Sequence, residues 1–321
     1  MGVHANETVV ITGVAGFIGS NLADRLLADG YRVIGIDDLS YGVLEQVPEG
    51  VEFHELDIRS PQIYDVIAGA DVVFHLAAKN CISDCQLDPV ETSSINVVGT
   101  VNVFEAARRG GVRKVVYAES SALYEGSAVL PTPESEEAPE SFYAVSKLAG
   151  RYFAEAYRRF HGLNATALRY FCVYGPRQDY RRTIPPVMSA FILNLLQGRR
   201  PTIYGTGQKR RDFVYVDDVN DFHVLCMRDP RTDGKVFNVG SGRSYSVREI
   251  FDLIRELVGS DLEPHYAPDL PGEAQETLAD IGAARALGWE PKVGLEEGLR
   301  RSIAYIREHV LGAGGVEPVR V

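Results

Sequence analysis

The chain has 321 residues, a net charge of −11, and 45% hydrophobic and 24% charged residues. This composition suits a globular protein with a large core, and excludes a nucleic-acid binder built on an overall basic surface. No apolar run is long enough to span a membrane.

The four cysteines, Cys81, Cys85, Cys172 and Cys226, are too few for a disulfide framework in a chain this size, so a reducing, cytoplasmic setting is expected. The opening MGVHANET has no apolar signal core. The strongest local signal is TVVITGVAGFIGS at 8–20. A β-branched run reads as a buried strand, a glycine turn follows, and an amphipathic helix carries Leu22, Leu26 and Leu27. In such a unit Gly13 permits the tight turn, Gly16 lets the backbone approach a pyrophosphate, and Gly19 lets the helix pack closely. The helix N-terminus then presents amides and a positive dipole end to the phosphates.

A second buried strand, RVIGIDD at 32–38, ends on Asp37, about 20 residues beyond the glycine turn. A carboxylate there accepts hydrogen bonds from ribose hydroxyls and repels a 2′-phosphate, which argues for NAD over NADP. Further strands are expected at 51–60, ending on Asp57 and Ile58, at 71–78, ending on Ala77 and Ala78, and at 113–126, carrying Ser120. A long helix is expected over 92–111, with Asn96 inside it. Strand–helix alternation of this kind predicts an α/β fold with a Rossmann-type doubly wound parallel sheet, its ligand lying beyond the C-terminal strand ends.

The helical stretch 141–160 places Tyr143 and Lys147 at i, i+4, on one face. A tyrosine that removes an alcohol proton needs its pKa, normally about 10, brought close to neutrality, a change worth about 4 kcal/mol. A neighbouring ammonium and a nicotinium charge supply that field, and a serine hydroxyl (Ser120, or Ser121) can bond the same substrate oxygen.

From Arg177 to Lys209 the alternation weakens while prolines and basic residues accumulate: Pro185, Pro186, Arg199, Arg200, Lys209, Arg210 and Arg211. This suits a smaller, mixed α/β C-terminal lobe that meets an anionic substrate through Arg–phosphate contacts. The expected division is a dinucleotide-binding domain over 1–175, returning at about 212–240, a substrate lobe over 176–211 and 241–313, and a flexible tail at 314–321. Cys81 and Cys85 have no further Cys or His at metal-ligand spacing, so no metal is expected.

The motifs GVAGFIG, IDDLS, HLAA, SINVVGT, ESSALY, YAVSK, LRYFCVYGPRQ, GTGQKRRDFVYVDD and FNVGSG together resemble the extended short-chain dehydrogenase/reductases that modify nucleotide sugars, over nearly the whole chain. The resemblance implies a tightly bound NAD, regenerated at each turnover, and a UDP-sugar substrate. It makes Tyr143 the catalytic acid/base, Lys147 the holder of the nicotinamide ribose and Ser120 the catalytic hydroxyl. It implies further cofactor contacts from Phe17, Ile18, Ile58, Leu76, Asn96 and Tyr170. Substrate contacts are implied from Cys81, Ser120, Cys172, Val187, Tyr204, Gln208 and Arg211. It also implies a homodimer, paired through a four-helix bundle of the helices near 94–110 and 143–160.

The chain departs from the family's 4-epimerases at Cys172, where Asn is usual, at Leu270, where Arg is usual, and at Lys79, Asn80 and Cys81, where small or polar residues are usual. It departs from the 4,6-dehydratases at Ser121 and Ala122, where Asp-Glu is usual. The leading expectation is therefore elimination of water across carbons 5 and 6 of UDP-N-acetylglucosamine, in antibiotic or other natural-product biosynthesis, with Lys79, Cys81 or Cys172 as extra acid/base groups. The alternative is a UDP-hexose or UDP-N-acetylhexosamine 4-epimerase. A non-catalytic NAD-sensing module is the reading from another class, and the intact Ser120, Tyr143, Lys147 set speaks against it.

Overall fold

The computed structural model describes residues 7–182, 185–269 and 274–312. The strands are β1 Thr8–Thr12, β2 Arg32–Asp37, β3 Glu52–Glu55, β4 Val72–His75, β5 Lys114–Ser120, β6 Ala165–Tyr170, β7 Cys172–Tyr174, β8 Thr202–Tyr204, β9 Arg210–Tyr215, β10 Val236–Val239, β11 Ser244–Ser246 and β12 His265–Ala267. Seven of them form one sheet in the order β10-β6-β5-β4-β1-β2-β3, and every pairing in it is parallel. This is a Rossmann-type doubly wound sheet. The strand order reverses between β1 and β4, so their C-terminal ends diverge into a crevice.

Both faces of the sheet are buried, which accounts for the near-continuous apolar runs in its strands. One core packs Val9, Ile11 and Phe74 against Leu22 and Leu26 of helix Phe17–Ala28 and Val219 and Phe222 of helix Val216–Arg228. The other packs Val10, Ile36 and Val73 against Val103 and Phe104 of helix Thr100–Arg109 and Ala154 of helix Phe142–His161. The long helix expected over 92–111 is interrupted. Helix Pro89–Ser93 runs into a π-helical segment, Ser94–Gly99, before Thr100–Arg109.

The smaller sheets, β11-β9-β7 and β12-β8, build the second lobe with the helices Val187–Leu196, Val247–Val258 and Leu295–Tyr305. Its core centres on Phe191, Ile192, Phe213, Ile250, Phe251 and Leu299. Of the expected return at 212–240, β9 lies in a small sheet, and the chain rejoins the central sheet through helix Val216–Arg228 and β10. The small sheet also takes β7, from the end of the 1–175 segment. Leu270 and the tail at 314–321 lie outside the described residues.

Candidate active site

A cavity of about 340 Å³ opens where the central strands end. Its floor is the glycine turn. Gly13 has φ +77°, and a Cβ there would lie 2.7 Å from the Ala77 nitrogen. A Cβ on Gly19 would lie 2.1 Å from the Gly13 carbonyl oxygen, so only glycine lets the helix sit this close to its own turn. Helix Phe17–Ala28 starts without a side-chain cap, leaving its first-turn amides to an anion.

Asp37 closes the adenosine end. Its carboxylate accepts from the Ala15 amide at 3.0 Å and the Leu39 amide at 2.9 Å. Burial raises its pKa, and those two amides oppose the rise. Asp57 and Ile58 line the same end. Arg59 binds the Asp57 carboxylate and holds it below the usual carboxylate range. Glycine turn, unobstructed helix end and buried carboxylate together fit a dinucleotide, with the pyrophosphate over the turn and the ribose at Asp37.

At the other end stand Ser120, Tyr143 and Lys147. Helix Phe142–His161 begins at Ser141, whose hydroxyl accepts from the Ala144 amide at 3.1 Å, and this fixes the first turn that carries Tyr143. Tyr143 is buried, and burial pushes its phenol up to about 12 while a hydrogen bond with Ser120 pulls the other way. Lys147 donates to the Ala118 carbonyl at 3.1 Å. Its ammonium lies 6.0 Å from the centre of the Tyr143 ring, and burial lowers its pKa to about 8. A hydroxyl, a phenol and an ammonium thus converge at one strand tip, a set able to move a proton on and off an alcohol.

Every expected cofactor residue except Asn96 lines this cavity. Asn96 acts one layer back. Its carbonyl oxygen accepts from the Lys79 amide and its nitrogen donates to the Lys79 carbonyl, both at 2.9 Å, with a further bond to Ser146. Tyr170 lines the cavity, but its hydroxyl bonds His223 at 2.6 Å. Burial holds His223 at about 3, so that imidazole is neutral.

The substrate residues divide differently. Lys79 is 7% exposed and lines the cavity with Asn80. Cys81, Ser121, Cys172, Val187, Tyr204, Gln208 and Arg211 are not in its lining. Cys81 contacts the Ser83 hydroxyl at 3.1 Å, and Arg211 donates to the carbonyls of Arg210 and Ala274. None of the four cysteines is in a disulfide.

The cavity lining also includes Tyr41, Arg177, Tyr180 and Arg182, which the sequence did not single out. Arg177 pairs with Asp24, Arg181 donates to the Tyr41 carbonyl at 3.2 Å, and Arg182 pairs with Asp179 at 2.7 Å. Arg177, in this lining, has a φ of 68°, and Leu39 one of 57°, backbone strain that sequence does not display.

The fold and this site define a dinucleotide-binding enzyme type with a serine, a tyrosine and a lysine gathered at one end of its cavity. The family model for the NAD dependent epimerase/dehydratase family matches residues 9–240, and the chain belongs to that family. It is 40% identical to UDP-glucose 4-epimerase of Mycolicibacterium smegmatis, over 93% of this chain and 98% of that protein. The solved UDP-N-acetylglucosamine 4-epimerase of Methanobrevibacter ruminantium, in complex with UDP-N-acetylmuramic acid, superposes with a TM-score of 0.91 at 31% identity, over 94% of this chain and 98% of that one. The dTDP-glucose 4,6-dehydratase DesIV of Streptomyces venezuelae, solved with NAD, gives 0.86 at 29% identity, over 94% and 97%. The protein is an NAD-dependent enzyme of the nucleotide-sugar epimerase/dehydratase type. Among the described residues no helix is long and apolar enough to cross a membrane.

Proposed function

We propose that this enzyme oxidises carbon 4 of UDP-N-acetylglucosamine, eliminates water across carbons 5 and 6, and restores carbon 4. NAD, when bound, supplies the hydride acceptor and a positive charge beside Tyr143. Tyr143 takes the 4-hydroxyl proton with Ser120 bonded to the same oxygen, and Lys147 holds the nicotinamide ribose. The 4-ketone acidifies the carbon-5 proton. The Lys79 amine removes that proton and gives one to the departing 6-hydroxyl, which leaves as water. Carbon 4 then recovers its hydride and its oxygen recovers the Tyr143 proton, leaving a 5,6-ene.

The observation that carries this reading is Lys79. It is a buried amine in the lining of the same cavity as Ser120, Tyr143 and Lys147, and Asn96 grips its backbone on both sides. A 4-epimerase only has to release and turn its keto sugar, whereas an elimination needs an acid/base at carbons 5 and 6. Cys81 and Cys172 are the other groups proposed for that work, but neither lines the cavity. A 4-epimerase remains the second reading, favoured by the 40% identity to the mycobacterial enzyme.

Incubation with UDP-N-acetylglucosamine in deuterated water, read by mass spectrometry and proton NMR, separates the two. Loss of one water with new alkene signals supports the elimination. An isobaric product inverted at carbon 4 sinks it and establishes the epimerase. In K79M the elimination reading expects the nicotinamide to be reduced by substrate without alkene release.

The active form is proposed to be a homodimer. Leu87 (86% exposed), Val90, Val98, Phe142, Val145 and Phe160 (72% exposed) lie on neighbouring helices of one side, and apolar exposure on that scale calls for a cover. A monomeric mass by light scattering would refute the dimer.

A further inference from the structure

Glu119 and Arg169 form an ion pair that is completely buried, each side chain 0% exposed, directly beneath the Ser120–Tyr143–Lys147 set. They are cross-strand neighbours in the β5–β6 register. Arg169 donates through Nε to Glu119 Oε2 at 2.7 Å, and through Nη1 to the Tyr124 hydroxyl at 3.0 Å and the Glu134 carbonyl at 2.8 Å. Its remaining nitrogen pairs with Glu137. Tyr117 donates to the other Glu119 oxygen at 3.2 Å. Removing two charges from water costs about what their attraction returns, so such a pair adds little net stability and calls for another reason to be there.

Its position in β5 supplies one. Alternation along the strand puts Tyr117 and Glu119 on one face and Ala118 and Ser120 on the other. The two residues flanking Glu119 make the contacts that hold the reacting groups. The Ala118 carbonyl receives Lys147, and Ser120 hydrogen-bonds Tyr143. We propose that the Glu119–Arg169 pair is the positioning device of this strand tip: it fixes the Ala118 carbonyl and the Ser120 hydroxyl in place, and the Glu119 carboxylate keeps Lys147 charged. This rests on the reading of Tyr143 and Lys147 as the reacting pair.

The groups facing Lys147 are few. Glu119 on β5 favours the ammonium and opposes the burial that lowers it to about 8. Cys85 lies on the neighbouring short helix, and its thiol is pushed up by burial and so is neutral. His75 on β4 is buried between the hydroxyls of Thr12 and Thr100 and held neutral at about 3. Tyr143 is on the same helix as Lys147. Burial raises the Glu119 carboxyl, and Arg169 and Arg151, which face it, oppose the rise. Glu119 is the carboxyl among these groups, and its charged form, paired with Arg169, favours the Lys147 ammonium.

The test uses full-length enzyme with lysines isotopically labelled at Cε, the Lys147 signal assigned with K147M. Wild type is expected to titrate near pH 8. E119Q, whose amide can still bond Arg169 and Tyr117, is expected to titrate lower by about one pH unit or more. E119D is expected to restore the wild-type value. The double variant E119Q/R169M leaves no unpaired buried charge and covers the case in which E119Q does not fold; its Lys147 is expected to titrate low as well. The alkaline limb of kcat should move down with the NMR value in E119Q while KM for the UDP-sugar stays. An unmoved Lys147 titration in either neutral variant overturns the proposal, as does equal damage in E119D and E119Q. The titration is independent of which product the enzyme forms, so a failed elimination leaves this reading standing.

Discussion

The two ends of the active cleft are built by opposite strategies. The cofactor half gathers its lining from strand tips that parallel topology forces together: Gly13 after β1, Asp37 at the end of β2, Ala77 after β4 and Ser120 at the end of β5. The substrate lobe offers Val187, Tyr204, Gln208 and Arg211 from short strands, a helix start and loops, and none of these four lines the cavity. A parallel sheet fixes its ligand site by backbone hydrogen bonding before any ligand arrives. In the lobe of short elements a long side chain is held by backbone carbonyls, as Arg211 is by those of Arg210 and Ala274. On the function proposed above, the chemistry would sit in the rigid sheet half and the selectivity in the side chains of the lobe.

The sharpest way to break this contrast is at the strand tips. Y143F should lower turnover by about 10³-fold or more while the protein remains folded and retains NAD, measured by steady-state rates and cofactor content. Near-normal turnover would move the chemistry out of the sheet half. G19A comes next. Its added Cβ meets the Gly13 carbonyl oxygen at 2.1 Å, so a loss of about 1–3 kcal/mol in denaturant unfolding is expected, with weaker NAD retention.

Acid should also strike the sheet half. His75 and His223 are buried, with pKa values held at about 3, below an unfolded value of about 6.5. The unfolded chain therefore binds more protons, and stability present above pH 6.5 is lost as pH falls toward 3. The slope is up to about 1.4 kcal/mol per pH unit for each histidine. A flat acid limb in urea midpoints would contradict this.

The smallest effect is expected in the lobe. R211A should raise KM for the UDP-sugar about tenfold, the scale of one charge-assisted contact, with little change in kcat. An equal fall in kcat would mean that the lobe, too, holds reacting groups.

Much of this was legible in the chain because it is local. The turn from Gly13 to Gly19 needs no partner to be read: the residue types and their spacing already demand a strand, a tight turn and a helix. Tyr143 and Lys147 share a helix face by periodicity alone. The interruption at Ser94–Gly99 was not legible as such: SINVVG is rich in weak helix formers, but nothing in it specifies a π-helical turn, and Asn96, inside that segment, is bonded to Lys79 and Ser146 on two other elements.

By itself the sequence determined the cofactor class and the parallel sheet, and it proposed Ser120, Tyr143 and Lys147, which the fold brings to one cavity, since each reading follows from short-range spacing and strand-end placement. Only the tertiary structure decided that Lys79 is buried in the cavity lining while Cys81 and Cys172 stay out of it, that a loop from Arg177 to Arg182 joins that lining, and that Arg169 reaches Glu119 from a neighbouring strand. Burial and charge pairing are properties of residues far apart in the chain. They come into being only when packing removes water from between them, which no spacing along the sequence encodes.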